Sequence, residues 1–195
     1  MIRAGARVAG RRGIAARRGF EIAGLALFVS GCSLFPYVAG YSPHPPVAGV
    51  TISDASGRVV GNGVLVEERK GVRILIDLKG LAPGIKAVHI HEVGRCDPPS
   101  FDSAGAHFNP GKNLHGSANP RGPHAGDLPN ITVDSAGQGH LEFTDRRITL
   151  GKGATSLFDL DGSALVVHEQ ADDLRTEPDG ASGARAACGI IVRGG

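Results

Sequence analysis

The stretch V-R-I-L-I-D-L, residues 72–78, decides the fold class of this chain. Its apolar side chains occupy every second position, at Val72, Ile74, Ile76 and Leu78. Successive side chains of a β-strand point to opposite faces, so this period predicts a strand with one buried face. No segment shows a convincing helical period, and the 30 glycines of the chain favour turns.

Short runs rich in Val, Ile and Leu lie on both sides of this strand. They cover residues 47–53, 61–68, 87–92, 131–133, 140–144, 163–168 and 188–192. The sequence S-A-G-Q-G at 135–139 is typical of a hairpin turn between two of them. About eight short strands separated by turns predict an all-β fold, an eight-stranded Greek-key barrel or sandwich.

Two long stretches, residues 93–130 and 169–187, have no strand character. A structureless loop of this length inside a domain is unusual and normally functional. These loops and the strands that border them contain six of the eight histidines. We expect a metal site and a disulfide to order them, because the loops are too polar to be held by a hydrophobic core.

The first 31 residues have the features of a bacterial export signal. Residues 1–19 contain six arginines and no acid, and an apolar run at 22–29 precedes Ser30-Gly31-Cys32. The ending V-S-G-C resembles a lipobox, in which cleavage before Cys32 makes this residue the lipidated N-terminus; a plain secretory signal is the alternative. The sequence A-R-R-G-F at 16–20 resembles a twin-arginine signal, which leaves the export route open.

Residues 32–46, which contain four prolines, are predicted to be a tether that holds a domain at 47–195 off the membrane. The whole chain carries a net charge of +2, but residues 1–31 hold six Arg and one Glu. The remainder therefore has 15 basic and 18 acidic residues, a net charge of −3. The basic character belongs to the leader, so nothing supports nucleic-acid binding.

The cysteines divide in the same way. With Cys32 assigned to the leader, Cys96 and Cys188 remain as an even pair in an exported protein. An oxidising compartment favours a disulfide between them, and two buried free thiols are the alternative.

The clustered histidines have the spacing of a metal site. The motifs are H-I-H-E at 89–92, H-x7-H-x8-H-x2-D from His107 to Asp127, and V-V-H-E at 166–169. His89 and His91 lie two apart on a predicted strand, so both can face one ion. Imidazole suits copper and zinc, and a nearby carboxylate suits zinc.

These motifs, together with S-A-G-A-H-F-N-P, H-A-G-D-L-P-N, Q-A-D-D-L and G-A-R-A-A-C-G, resemble copper–zinc superoxide dismutases of the bacterial exported kind. The resemblance covers roughly residues 47–193. It implies an enzyme that converts superoxide to oxygen and hydrogen peroxide outside the cytoplasm, in the periplasm or on the outer face of the membrane. A homodimer is compatible with it, but no interface can be read from the sequence.

The resemblance also implies two ligand sets. Copper would be bound by His89, His91, His107 and His168, and zinc by His107, His115, His124 and Asp127. His107 would then be a catalytic residue that bridges both ions and carries a proton. Arg185 would dock the anion, and Asp172 would hydrogen-bond one copper ligand and one zinc ligand, His89 and His115.

Several of these residues, and the domain as a whole, have a second interpretation. Arg185 could be a solvated surface residue and Asp172 an exposed loop acid. His44 is interpreted as a linker residue and His140 as an exposed strand position. The whole domain could also be a metal-storage module without turnover, or a β-sandwich that presents loops to a partner; neither alternative needs the complete set of ligands together with Arg185.

Overall fold

The structure of the protein is a computed structural model that describes residues 45–194. The predicted signal at 1–31, Cys32, His44 and nearly all of the tether lie outside the described residues. Within the described part there is no helix long and apolar enough to cross a membrane.

Nine antiparallel strands form one sheet. They are β1 (Val47–Asp54), β2 (Val59–Glu68), β3 (Gly71–Lys79), β4 (Gly84–Lys86), β5 (Val88–His91), β6 (Ile131–Val133), β7 (Gln138–Asp145), β8 (Ala164–His168) and β9 (Arg185–Arg193). Between residues 45 and 194 the only helical segment is one 3-10 turn, Asp102–Ala104. The predicted all-β fold is confirmed.

The order of strands in the sheet is β4-β6-β7-β3-β2-β1-β9-β8-β5. Pairs such as β1 with β9 and β3 with β7 are distant in the chain, as in Greek-key connections. Strands β4 and β5 stand at opposite ends of this order although only Ala87 separates them in the chain. The two ends of the sheet therefore meet, and the sheet forms a nearly closed barrel.

The count is nine strands rather than the eight expected. The additional strand, β4, is short and partly exposed, and its residues G-I-K show no alternation. It is a strand because Ile85 pairs with Thr132 of β6. This pairing joins residues far apart in the chain, so the local pattern contains no sign of it.

The alternation predicted for residues 72–78 is also found in the structure. Val72, Ile74, Ile76 and Leu78 are at most 3% exposed and lie in the main core. Burying each such side chain contributes about 1.5–3 kcal/mol to stability. His140, predicted to be exposed, lies on the outside of β7, where Nδ1 is 2.7 Å from Asp77 Oδ1.

Two long loops leave this barrel as predicted, at residues 92–130 and 169–184, and a third irregular stretch covers 146–163. The expected disulfide joins Cys96 to Cys188 with a Cα–Cα distance of 5.7 Å. A small second core of Phe101, Ala104 and Val166 surrounds it. The first loop is therefore fastened to strands β8 and β9.

Candidate metal centre

The short strand β5 positions the first two histidines. All four of its side chains are buried, and on one side it pairs with β8, the strand that ends at His168. On its other side the long first loop forms further backbone hydrogen bonds, in which the amides of Ile90 and Phe108 donate to Gly126 O and Ile90 O at 2.8 Å. These bonds place the neighbouring residues His107 and Asp127 beside β5, His107 opposite His91 and Asp127 opposite His89.

Four histidines meet beside β5, and we call them the four-histidine group: His89, His91, His107 and His168. One ring nitrogen from each lies within 4.8 Å of the others. All four side chains are nearly fully buried. In each ring one nitrogen is buried without a hydrogen-bond partner: Nδ1 of His89 and Nε2 of the other three.

A second group shares His107 and adds His115, His124 and Asp127; we call it the three-histidine–aspartate group. The three Nδ1 atoms converge on the Asp127 carboxylate, at 2.9 Å from His107, 3.2 Å from His115 and 3.3 Å from His124. His107 Nδ1 thus faces this group, while its Nε2 is the unpartnered atom of the four-histidine group.

Asp172 connects the two groups. Its Oδ2 lies 3.0 Å from His89 Nε2, and its Oδ1 lies 2.9 Å from His115 Nε2. The carboxyl group is buried, so Asp172 is not an exposed loop acid. Gly180, with φ +70°, packs directly against this carboxylate, and a Cβ atom there would collide with Oδ1.

Arg185 lies at the start of β9 and faces the four-histidine group across a cavity of about 620 Å³ that His91, His107 and His168 also line. Its guanidinium donates hydrogen bonds to Phe101 O at 2.7 Å and Gly105 O at 2.8 Å. Gly105 O also accepts a hydrogen bond from His91 Nδ1 at 3.0 Å. Arg185 is therefore half-buried and fixed, rather than a solvated surface residue.

The protonation of the rings follows from their surroundings. Burial lowers the pKa of His89 to about 3, of His91 to about 2 and of His168 to about 4. These rings are neutral near pH 7, with a lone pair available to a metal. Burial also acts to lower the pKa of His115, but hydrogen bonds to Asp127 and Asp172 outweigh it and raise this pKa to about 10.

For the carboxylates of Asp127 and Asp172, burial and hydrogen bonding act on the pKa in opposite directions. Burial alone would raise the pKa of Asp127 and of Asp172. Hydrogen bonds from His107, His115 and His124 hold the pKa of Asp127 well below its usual range, and bonds from His115 and His89 do the same for Asp172. Both side chains are therefore anionic at neutral pH.

Comparison with known proteins agrees with this geometry. The family model of copper/zinc superoxide dismutase matches residues 59–191. A superoxide dismutase [Cu-Zn] 2 of Aquifex aeolicus is 46% identical over 71% of this chain and 82% of its own. A superoxide dismutase [Cu-Zn] of Caulobacter vibrioides is 40% identical over 74% of this chain and 84% of its own. A crystal structure of a SOD-like protein from Bacillus subtilis superimposes with a TM-score of 0.70 at 41% identity, covering 73% of this chain and 96% of that one.

The chain belongs to the copper/zinc superoxide dismutase family. It is an oxidoreductase that converts superoxide to oxygen and hydrogen peroxide, with copper and zinc as cofactors. The donor sets fit this chemistry. Four nitrogens suit copper, and three nitrogens with one carboxylate oxygen suit zinc. The unpartnered buried nitrogens are the atoms that ligation would satisfy.

The structure also identifies residues that the sequence did not indicate. Arg147 donates from Nη1 to His124 O at 3.0 Å and from Nη2 to Asp127 O at 2.9 Å, and it pairs with the buried Asp145 at 2.8 Å. Asn130 exchanges two 2.9 Å hydrogen bonds with the backbone of Asp172. Most of these bonds end on backbone atoms, which every residue has, so no sequence motif signals them.

Proposed function

We propose that the four-histidine group binds copper, that the three-histidine–aspartate group binds zinc, and that His107 is a ligand in both. The observation that carries this assignment is that the two nitrogens of the His107 ring face different groups. Its Nδ1 faces the Asp127 carboxylate, and its buried Nε2 faces the other three histidines without a partner. One neutral ring that loses its remaining proton can serve two metal ions in this arrangement.

When bound, copper supplies the one-electron exchange with superoxide, and zinc polarises the shared ring. The chain supplies the rest. The guanidinium of Arg185, fixed by two carbonyl groups, presents a planar positive fork that orients a small anion in the cavity. His107 also lines this cavity, so its ring can exchange a proton with a bound anion.

The test of activity is an elemental analysis and a superoxide assay on the same purified sample. We expect about one copper and one zinc per chain. The rate should fall as ionic strength rises, because salt screens the attraction between Arg185 and the anion. Full loading with no turnover would instead support a storage protein.

The assignment of each group has a paired test. His124 belongs only to the three-histidine–aspartate group, and His168 belongs only to the four-histidine group. His124→Ala should lose zinc and keep copper, and His168→Ala should lose copper and keep zinc. His140→Ala, at an exposed strand position, is the control that should keep both. Loss of the same metal from both site variants would contradict the assignment.

We propose further that residues 1–31 direct export, that Cys32 is lipidated, and that residues 32–46 tether the domain at 47–195 to the membrane in the periplasm or on the outer face of the cell. The disulfide between Cys96 and Cys188 supports an oxidising compartment. In cell fractionation the mature protein should sediment with membranes, and Cys32→Ala should not acquire lipid. A wild-type N-terminal peptide whose mass shows no attached lipid would contradict lipidation. Export that requires Arg17 and Arg18 would indicate the twin-arginine route, whereas export that does not require them would indicate the general secretory (Sec) route.

For the homodimer, we propose the outer face of strands β2, β1 and β9. Val64, Gly49 and Val192 stand side by side there, with Val64 41% and Val192 55% exposed. Exposed Ile190 adjoins them beside a mostly apolar cavity of about 430 Å³. Exposed apolar side chains that adjoin one another, rather than being scattered singly, favour a contact surface. Sedimentation should show that Val192→Glu is a monomer, whereas Ile85→Glu, on distant β4, should still dimerise. A monomeric wild-type protein would contradict the proposal.

A further inference from the structure

A hydroxyl group lies against the outer nitrogen of one ring in the four-histidine group. Ser182 Oγ is 2.9 Å from His168 Nδ1, and both residues are buried, Ser182 completely. Within residues 45–194, His168 Nδ1 is the only hydrogen-bond partner of this hydroxyl. The carbonyl oxygen of Gly183 also lies near Nδ1, at the longer distance of 3.3 Å.

The backbone holds the hydroxyl in place. Ser182 O accepts a 2.9 Å hydrogen bond from Gln170 N, and Ala184 O accepts a 2.8 Å bond from Glu169 N. Between them Gly183 has φ +74°, in the left-handed region that favours glycine. The segment that carries Ser182 is thus paired with the residues that directly follow His168, and Ser182 Oγ has little freedom to turn away.

The two oxygen atoms near Nδ1 differ in what they can do. A carbonyl oxygen only accepts, so Gly183 O can serve His168 only when the proton is on Nδ1. A hydroxyl both accepts and donates, so Ser182 can serve either tautomer of the neutral ring. When Nδ1 is unprotonated, the serine hydroxyl donates to it, and the ring proton lies on Nε2 among the unpartnered nitrogens of His89, His91 and His107.

We propose that Ser182 is a positioning residue for His168 whose hydroxyl reverses direction when metal binds. Without metal, Ser182 Oγ donates to Nδ1 and His168 carries its proton on Nε2. A metal bound at Nε2 would require the ring proton on Nδ1, and Ser182 Oγ would then accept a hydrogen bond from Nδ1–H; the ring is neutral in both states. The inference rests on the proposed place of His168 among the copper ligands. Such partners of a ligand's second nitrogen fix its tautomer and increase its basicity.

The first measurement is nitrogen NMR of protein with 15N-labelled histidine, with and without copper(I) and zinc, which are diamagnetic. In wild-type protein the His168 signals should show Nε2–H without metal and Nδ1–H with metal. In Ser182→Ala only Gly183 O remains, so the metal-free protein should already show Nδ1–H. Wild-type protein that shows Nδ1–H in both states would overturn the proposal.

The second measurement is copper(II) affinity by chelator competition. Ser182→Ala should bind copper about tenfold more weakly, in the range found when such ligand-supporting bonds are removed. Ser163→Ala is the matched control, because Ser163 is also fully buried but its hydroxyl has no partner. Its copper affinity and His168 signals should equal those of wild type.

The outcomes distinguish the assignment of His168 as a copper ligand from the role of Ser182. A His168→Ala variant that binds copper as tightly as wild-type protein would contradict the ligand assignment itself. Copper binding that needs His168 but is equal in wild type and Ser182→Ala, with equal tautomers, would leave that assignment intact and overturn only the role of Ser182.

Discussion

Single side chains around the two groups act by holding other groups in position rather than by their own reactivity. Asp172 receives hydrogen bonds from His89 and His115, one ring of each group, and Arg185 is fixed by two carbonyl groups of the disulfide-bearing loop. A ring or guanidinium fixed before the ligand arrives loses less conformational entropy on binding. Metal affinity and substrate orientation should therefore respond separately to the two residues.

Asp172→Asn tests the first of these functions. An amide has one acceptor oxygen, so it can keep the bond with only one of His89 and His115. Metal affinity should fall about 10- to 100-fold, measured by chelator competition. Asp173→Asn is the control, because Asp173 is the exposed neighbour and its carboxylate accepts hydrogen bonds from Arg175 and Thr176 of its own loop. Unchanged affinity in Asp172→Asn would mean that the link between the groups is not needed.

Arg185→Leu tests the second. The cavity loses its fixed positive charge while the histidines keep their partners, so metal content should stay at the wild-type value. The value of kcat/KM should fall at least about tenfold, as for removal of an electrostatic steering group. Arg175→Leu removes the same charge from an exposed position on the neighbouring loop and should have a smaller effect. Equal losses in the two variants would point to overall charge instead of orientation.

Contacts between elements hold the long loops against the barrel. Arg147, just after β7, donates to the carbonyl oxygens of His124 and Asp127, two residues of the three-histidine–aspartate group. Gly116, next to His115 of the same group, packs directly against the backbone of Leu174 in the second loop. The geometry proposed for zinc therefore depends on strand β7 as well as on its own loop.

Arg147→Met should weaken zinc binding more than copper binding, because the two carbonyl oxygens lose their donor. The variant also leaves the buried Asp145 without its ion pair, which costs about 3–5 kcal/mol of stability. Zinc release by a chromogenic chelator and thermal unfolding measure the two effects. Arg146→Met, the exposed neighbour, should change neither. Selective loss of copper would contradict this role.

The disulfide fastens the first loop to β9. Replacing Cys96 and Cys188 with serine should lower the free energy of unfolding by about 2–5 kcal/mol, measured with denaturant. The same change should loosen Phe101, whose carbonyl oxygen holds Arg185, and so lower activity in the loaded enzyme. Reduced wild-type protein should behave like the double variant. Full activity in the double variant would show that the small core around Phe101 is sufficient by itself.

For the molecule as a whole, a set of buried neutral histidines makes the metal-free protein sensitive to acid. The folded-state pKa values of His89, His91 and His168 are about 3, 2 and 4, below the unfolded value of 6.5. The unfolded chain therefore takes up protons first as pH falls. The stability that these rings contribute is complete above about pH 6.5 and is lost progressively below it, down to about pH 4 for His168, 3 for His89 and 2 for His91.

Each of the three rings should remove about 1.4 kcal/mol of stability per pH unit in that window. Thermal unfolding of the metal-free protein at several pH values between 4 and 8 measures this slope. His115 does not contribute there, because its pKa is raised to about 10 and it is protonated in both states below 6.5. Protein loaded with both metals should be more stable throughout, since ligands that bind the folded state stabilise it. A flat profile for the metal-free protein would contradict the burial argument.

How much could be predicted differs between the sheet and the site. The alternation at residues 72–78 predicted a strand with the correct buried face, and the hairpin turn near Gly137 was also correct. Strand β4 was missed because only its pairing with β6 defines it. The motif spacing predicted a metal site, and the family resemblance implied the two sets of side chains that the structure brings together. The contact of Asp172 with His89 and His115 agrees with the same resemblance.

The amino-acid order alone was enough for the strand period and the turns, because these depend on residue type and short spacing. The cysteine pair followed from an even count in an exported chain, although 92 positions separate the two residues, and the set of donor side chains followed from the family resemblance. The folded arrangement was needed to show that each nitrogen of His107 faces a different group, that β4 and β5 join the ends of the sheet, and that Arg147 and Ser182 form hydrogen bonds with residues of the two groups. These features depend on hydrogen bonds between segments far apart in the chain. Many of those bonds involve backbone atoms that all residues share, so the letters of the sequence do not distinguish them.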